Sequence, residues 1–286
     1  TGRVPEQPST AELETVQRPQ DRSTEQAPAK RQDRLAQDQA PAADEKEPLV
    51  AATREVLAAI VNRGRRRHNA NGLDGDEING DELTEGYVRA AAEAALKLPA
   101  ERRLEPFFWG LAIGLERTEE MRRYAVLGDF IRQVETDAQR RLRLAILGSP
   151  AWGRREDLSQ QITFSAAIAV TAGRRAAEAA GMAKELRDAR AERGFSFVDW
   201  CADRAGIAWA NQVKKGSITL EMLASRFKPA DYLPDVEGLE EGLSWDEFSR
   251  RYGSTSDRRF RAVDADILSR IDRLYRSPRH AGSASR

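Results

Sequence analysis

Apolar residues recur at helical spacing along nearly the whole chain, beginning at Leu49. In the first stripe, Leu49, Val50, Val56, Leu57, Ile60 and Val61 share one side of a helix, which is predicted to run from Pro48 to a stop at Gly64. The basic run Arg63, Arg65, Arg66, Arg67 and His68 then passes into Asn69, Asn71, Gly72, Asp74, Gly75, Asp76, Asn79 and Gly80. Such dense turn chemistry predicts a loop. A second helix is predicted to open with Asp81 near its N-cap and Glu82 and Glu85 in an acidic first turn, and to end at Pro99. The third starts around Pro106 and carries Phe107, Phe108, Trp109, Leu111, Ile113 and Leu115, with Gly110 and Gly114 spaced to let another helix approach closely.

A segment over 124–130 follows, then a longer amphipathic helix over 131–147 whose apolar face holds Ile131, Val134, Ala138, Leu142, Ala145 and Ile146. Residues 157–173 read as an apolar helix, and 176–191 as a further helix after a kink at Gly173. Ser196 with Asp199 three residues on resembles a capping box and opens a helix over 197–213, closed by Lys214, Lys215 and Gly216. Short helices over 219–227 and from Ser244 through Tyr252, and a last one over 262–275, complete the pattern. No segment alternates with period two, so the expectation is all-α: a single multi-helix globular domain, an irregular or orthogonal bundle, over 49–276. Residues 1–48 hold six of the twelve prolines and no aromatic residue, too little apolar surface to offset their ordering entropy, and read as a disordered N-terminal tail; 277–286 read as a disordered C-terminus.

Composition narrows function mostly by exclusion. Lys+Arg and Asp+Glu balance at 46 each, so no global field draws the chain to nucleic acid or to an anionic membrane. One cysteine, Cys201, and two histidines cannot assemble the usual zinc sets, and no cofactor fingerprint, Walker loop or G-x-S-x-G elbow occurs. The longest uncharged apolar runs, 106–115 and 162–173, fall short of the roughly 20 residues a membrane span needs and read as buried helices. The chain starts at Thr1 with no signal-type apolar segment, and a leader removed ahead of it is one expectation, so the missing signal does not argue for the cytosol.

Several stretches resemble a known family. They are Phe164-Ser165-Ala166-Ala167, Lys184-Glu185-Leu186-Arg187-Asp188-Ala189, Gly194-Phe195-Ser196-Phe197-Val198-Asp199 and Ala202-Asp203-Arg204-Ala205-Gly206-Ile207. Together they resemble an uncharacterised bacterial family of predicted exported helical proteins with a K-E-x-x-D-A segment, a G-F-S-F-x-D turn and an A-D-x-A-G helix. The resemblance covers roughly 87–275 and implies a periplasmic or secreted location in a Gram-negative-type bacterium, with no activity attached. The family pattern has a histidine just before the position of Phe164, where this chain has Ile162 and Thr163, so histidine chemistry does not carry over.

The residues themselves offer one constellation for chemistry. Glu185 and Asp188 share one helix face, Asp199 and Asp203 another, and a short turn around Gly194 joins the two helices. Convergence of these four candidate catalytic carboxylates would raise a pKa enough for a general acid, or offer oxygen ligands to a divalent cation. The bland alternative has Asp199 capping, Asp203 paired with Arg204 or Arg187, and Lys184 and Glu185 solvated. Asp74 to Glu85 superficially matches a calcium loop, but Asn79 stands at the glycine position and Asp81 at the apolar one. Arg63, Arg65, Arg66 and Arg67 are possible anion contacts, without the interleaved aromatics of a nucleic-acid reader. Trp200 and Trp209 fall on opposite faces of one helix, so one of them is expected to be partly exposed at an interface. The leading expectation is a non-catalytic envelope or periplasmic protein that acts through an unknown protein partner, with no cofactor and no metal. Its rivals are an acid-based or metal-assisted hydrolase using the four carboxylates, and phosphate or nucleic-acid binding by the basic run.

Overall fold

The computed structural model of the chain describes residues 43–71 and 80–276. Within them the fold is all-α: α1 (Ala43–Asn71), α2 (Gly80–Ala95), α3 (Leu104–Leu115), α4 (Ala125–Val134), α5 (Asp137–Leu147), α6 (Glu156–Thr171), α7 (Arg174–Ala189), α8 (Phe197–Lys214), α9 (Leu220–Arg226), α10 (Trp245–Tyr252) and α11 (Arg258–Arg276). Among the described residues extended pairing is limited to two isolated bridges, Trp152 with Arg155 and Phe195 with Leu243. No described helix is long and apolar enough to cross a membrane. The expected tail lies outside the described residues up to residue 42, as do 277–286 and most of the calcium-like spacing, residues 72–79.

Helix α3 is apolar all round, and every residue from Pro106 to Leu115 is buried, as a helix in the middle of a core must be. It packs between α1 and α6, and α6 packs most extensively against α8. Glycines set these crossings. A Cβ on Gly110 would stand 2.5 Å from Val56 Cγ1, and one on Gly114 would stand 3.0 Å from Ile60 Cδ1, so the paired glycines of α3 do admit a helix, namely α1. Gly206 of α8 lies against the backbone carbonyl of Ile162 on α6.

Three boundaries differ from the sequence pattern. Helix α1 begins at Ala43 and accommodates Pro48 inside it, where the missing N–H forgoes one helix hydrogen bond. It also runs through Gly64 to Asn71 rather than stopping. Gly64 is a contact and not a cap, because a side chain there would collide with Leu147 of α5. The expected helix over 131–147 is broken at 135–136, where Thr136 and Gln139 form a full capping box that starts α5. The break re-phases the second half. Leu142, expected on the apolar face, is 44% exposed, while Arg143 is buried and donates through Nε to Glu135 Oε1 at 2.6 Å and through Nη1 to the Glu116 carbonyl at 2.7 Å.

Helix α8 serves two cores. Trp209 sits in the main one, edge to face with Phe108 at 5.0 Å and Trp152 at 5.6 Å. Trp200 belongs to a second one, with Phe195, Phe197, Phe248, Phe260, Ile267 and Ile271. Both tryptophans are therefore buried, and the expected half-exposed ring is absent from α8, because α10 and α11 cover the face that α6 leaves open.

Candidate functional site

Helices α6, α7 and α8 pack against one another, and the short links between them aim polar side chains inward. Gly173, at φ 89°, ends α6 and turns the chain into α7. After α7, the Ser196 hydroxyl accepts the Asp199 N–H at 3.0 Å and so caps α8. The reciprocal half of the capping box does not come from Asp199. Glu185, reaching over from α7, accepts the Ser196 N–H on Oε2 at 3.0 Å. This bond fixes Glu185 at the start of α8 and brings the two acidic pairs of the sequence together.

Lys184 stands at the centre. Its Nζ lies 2.7 Å from Glu185 Oε1, 3.1 Å from Asp188 Oδ2 and 3.4 Å from Asp199 Oδ2. Its side chain is 14% exposed and Glu185 is 1% exposed, so the expectation that both are solvated is wrong. Burial opposes the lysine's charge, but Glu185, Asp199 and Asp203 outweigh it and hold the ammonium above its ordinary range. Glu185 is pushed up to about 7, chiefly by burial, with Lys184 pulling it down and Asp199 adding to the rise.

Asp203 is the most unusual member. It is 1% exposed and pairs with neither Arg204 nor Arg187, because Arg204 holds Asp264 at 2.8 Å and Glu178, while Arg187 holds Glu120 and Tyr124. Ser165 of α6 donates to Asp203 Oδ1 at 2.5 Å. Among the described residues Oδ2 has no hydrogen-bond partner, and it rests over Gly181 of α7, where a Cβ would come within 2.5 Å of it. Burial, only partly offset by Lys184 and the Ser165 hydrogen bond, drives the carboxyl well above the usual range.

These groups open onto a cavity of about 410 Å³. Lys184, Asp188, Asp199, Asp203 and Ser165 line its polar end. Its wall is mostly apolar, with Trp109 edge to face with Phe130 at 5.4 Å and Phe164 at 6.3 Å. Gln161 donates to Asp199 Oδ2 at 3.0 Å. At the rim, Arg155 pairs with Asp157 at 2.5 Å and Glu241 at 2.6 Å, and its Nη2 stands 3.6 Å from Asp199 Oδ1. Gln161 and Arg155 were not singled out from the sequence, Lys184 was expected to be solvated, and Ser165 entered only within the family-like stretch.

Among the described residues no group of His, Cys, Asp and Glu is arranged to hold a metal. The lysine explains this for the four carboxylates, since its Nζ takes the place between Glu185, Asp188 and Asp199 that a cation would occupy. The other candidates disperse. Arg63, Arg65 and Arg66 are exposed along α1, and Arg67 folds back to donate to the Ile146 carbonyl at 3.0 Å. The basic run is thus helical and not a loop. Glu85 pairs with Arg89 at 2.6 Å.

Compared with protein-family models, curated proteins and solved structures, the chain matches none of them.

Proposed function

We propose that this protein binds a small molecule with an apolar body and a polar end in the α6–α7–α8 cavity. The observation that carries the reading is Asp203 Oδ2, a buried carboxyl oxygen left without a partner on the wall of the cavity. Leaving such an atom unsatisfied costs about 1–3 kcal/mol, a cost that a ligand atom removes. The cavity volume falls in the ~300–1,000 Å³ range of small-molecule sites, and the aromatic wall supplies the apolar contact such sites use. A periplasmic or secreted setting, supported by the sequence resemblance alone, belongs to the same proposal. The competing interaction-protein reading has no comparable feature in its favour, since Asp188, Asp199 and Asp203 line a cavity and do not form an exposed face.

One observation favours a second reading, acid-assisted hydrolysis: Glu185, pushed up to about 7, stands beside Asp203, whose carboxyl is also driven well above the usual range, and such a pair can pass a proton to a leaving group. A single set of variants tests both. Ala180 lines the cavity and is only partly buried, so Ala180→Trp should fill it without unfolding the domain. Saturable binding of small arylalkyl probes, read from tryptophan fluorescence, is expected in the wild type and lost in Ala180→Trp while circular dichroism is unchanged. Binding that ignores the plug, or no binding at all, sinks the binding reading. Hydrolysis of nitrophenyl esters, phosphates or glycosides that is equal in wild type and Asp203→Asn sinks the hydrolase reading.

A further inference from the structure

Charge around the cavity is lopsided. Seven acidic side chains line it against three basic ones, and each basic one is already engaged. Arg155 serves Asp157, Asp199 and Glu241; Lys184 serves Glu185, Asp188 and Asp199; Arg193 reaches Glu120 at 3.9 Å. Asp203 Oδ2 alone is left over, buried against Gly181 in a residue that lines the cavity. The groups around this carboxyl come from all three helices: Ser165 and Gln161 from α6, Lys184, Glu185 and Asp188 from α7, and Asp199 from α8 itself.

We infer that the ligand of this cavity is an organic ammonium ion, a primary amine on an apolar body of about the size of one aromatic ring. The inference rests on the binding reading above and names its ligand class. An ammonium supplies both things the site lacks, an N–H donor for Oδ2 and a positive charge for a cluster in which one lysine faces four carboxyl groups. The rings of Trp109, Phe130 and Phe164 line the cavity and give contact for the apolar body. An anion would have to settle against Asp188 and Asp199, and a neutral alcohol would fill the space without relieving the charge. Seating the ammonium beside Asp203 favours the ionised carboxylate, so binding shifts this carboxyl toward releasing its proton. This also separates the inference from the hydrolase reading, which needs the proton to stay for transfer to substrate.

The test is calorimetric titration of the full chain near neutral pH with phenethylammonium, phenethyl alcohol and hydrocinnamate, each in two buffers of different ionisation enthalpy. Expected is binding of the ammonium ~10-fold or more tighter than the isosteric alcohol, the usual scale for a hydrogen bond to a charged group. The buffer dependence should report a proton released, and the advantage should vanish in Asp203→Asn. The proton count is measured on the wild type and so does not depend on that variant folding. If the alcohol or the carboxylate binds as tightly as the amine, or the amine binds without releasing a proton, the ligand class is wrong while the cavity remains a binding site. If none of the three binds, the binding reading falls with it.

Discussion

Glu185 keeps its proton to about pH 7 because it is buried among other carboxylates, and this has a definite sign for stability. Below its ordinary value of 4.5, both folded and unfolded chains hold the proton. As pH rises from there to about 7, the unfolded chain releases it while the folded chain keeps it, so stability is lost across that window. The loss is on the order of 3 kcal/mol. Glu185→Gln keeps an oxygen for the Ser196 N–H and cannot ionise. Urea unfolding is therefore expected to show a wild type that weakens between ~pH 5 and ~pH 8 and a variant that weakens less; parallel slopes would contradict the assignment. The four carboxylates were legible in the sequence because their spacing gives two shared helix faces. Lys184 was not, since a lysine between charged neighbours carries no mark of burial until the second helix is laid against it. The same holds for the unpaired oxygen of Asp203: Arg204, next in sequence, points to Asp264 on α11, a partner 60 residues away.

At the scale of elements, the contact between α6 and α8 depends on Gly206. A Cβ there meets the Ile162 backbone, which cannot yield as a flexible side chain could. Gly206→Ala should therefore push the two helices apart, at a cost of about 1–3 kcal/mol. The melting temperature is expected to fall by ~5 °C, and an unchanged value would show that the crossing has slack. Ser165 and Asp203 lie within a turn of this contact, so probe binding should weaken in the same variant. Helix starts were easy to read at three hydroxyl caps, Ser196, Thr219 and Ser244. Helix ends were harder. Gly64 looks the same in sequence whether it stops a helix or lets Leu147 lie against it, and only the position of α5 decides. The break at 135–136 did have a local signal, the Thr136 to Gln139 box, but the apolar period running across it hid the change of phase that buries Arg143.

For the molecule as a whole, α8 is the shared wall between two cores, and the lone cysteine reports on one of them. Cys201 is fully buried in the second core, and burial pushes its thiol up to about 12. Thiolate is the reactive form, so the native protein should resist a disulfide-exchange reagent at neutral pH and react only on opening. The labelling rate in rising urea should follow the fluorescence of the main-core tryptophans if both cores open together. Faster labelling at low urea would reveal separate opening of α10 and α11. The all-α class and the helix count were legible in the periodicity; the division into two cores was not, because it depends on which face of α8 each distant aromatic residue meets.

The Phe195 to Leu243 bridge presses Gly194 against Gly242 and sets Glu241 at the rim of the cavity. Every other part of the site is complete in the chain by Asp203, but this rim is made of residues synthesised later. Only when the segment around Gly242 arrives does the cavity gain its last wall, which makes the site one of the last things the growing chain can finish.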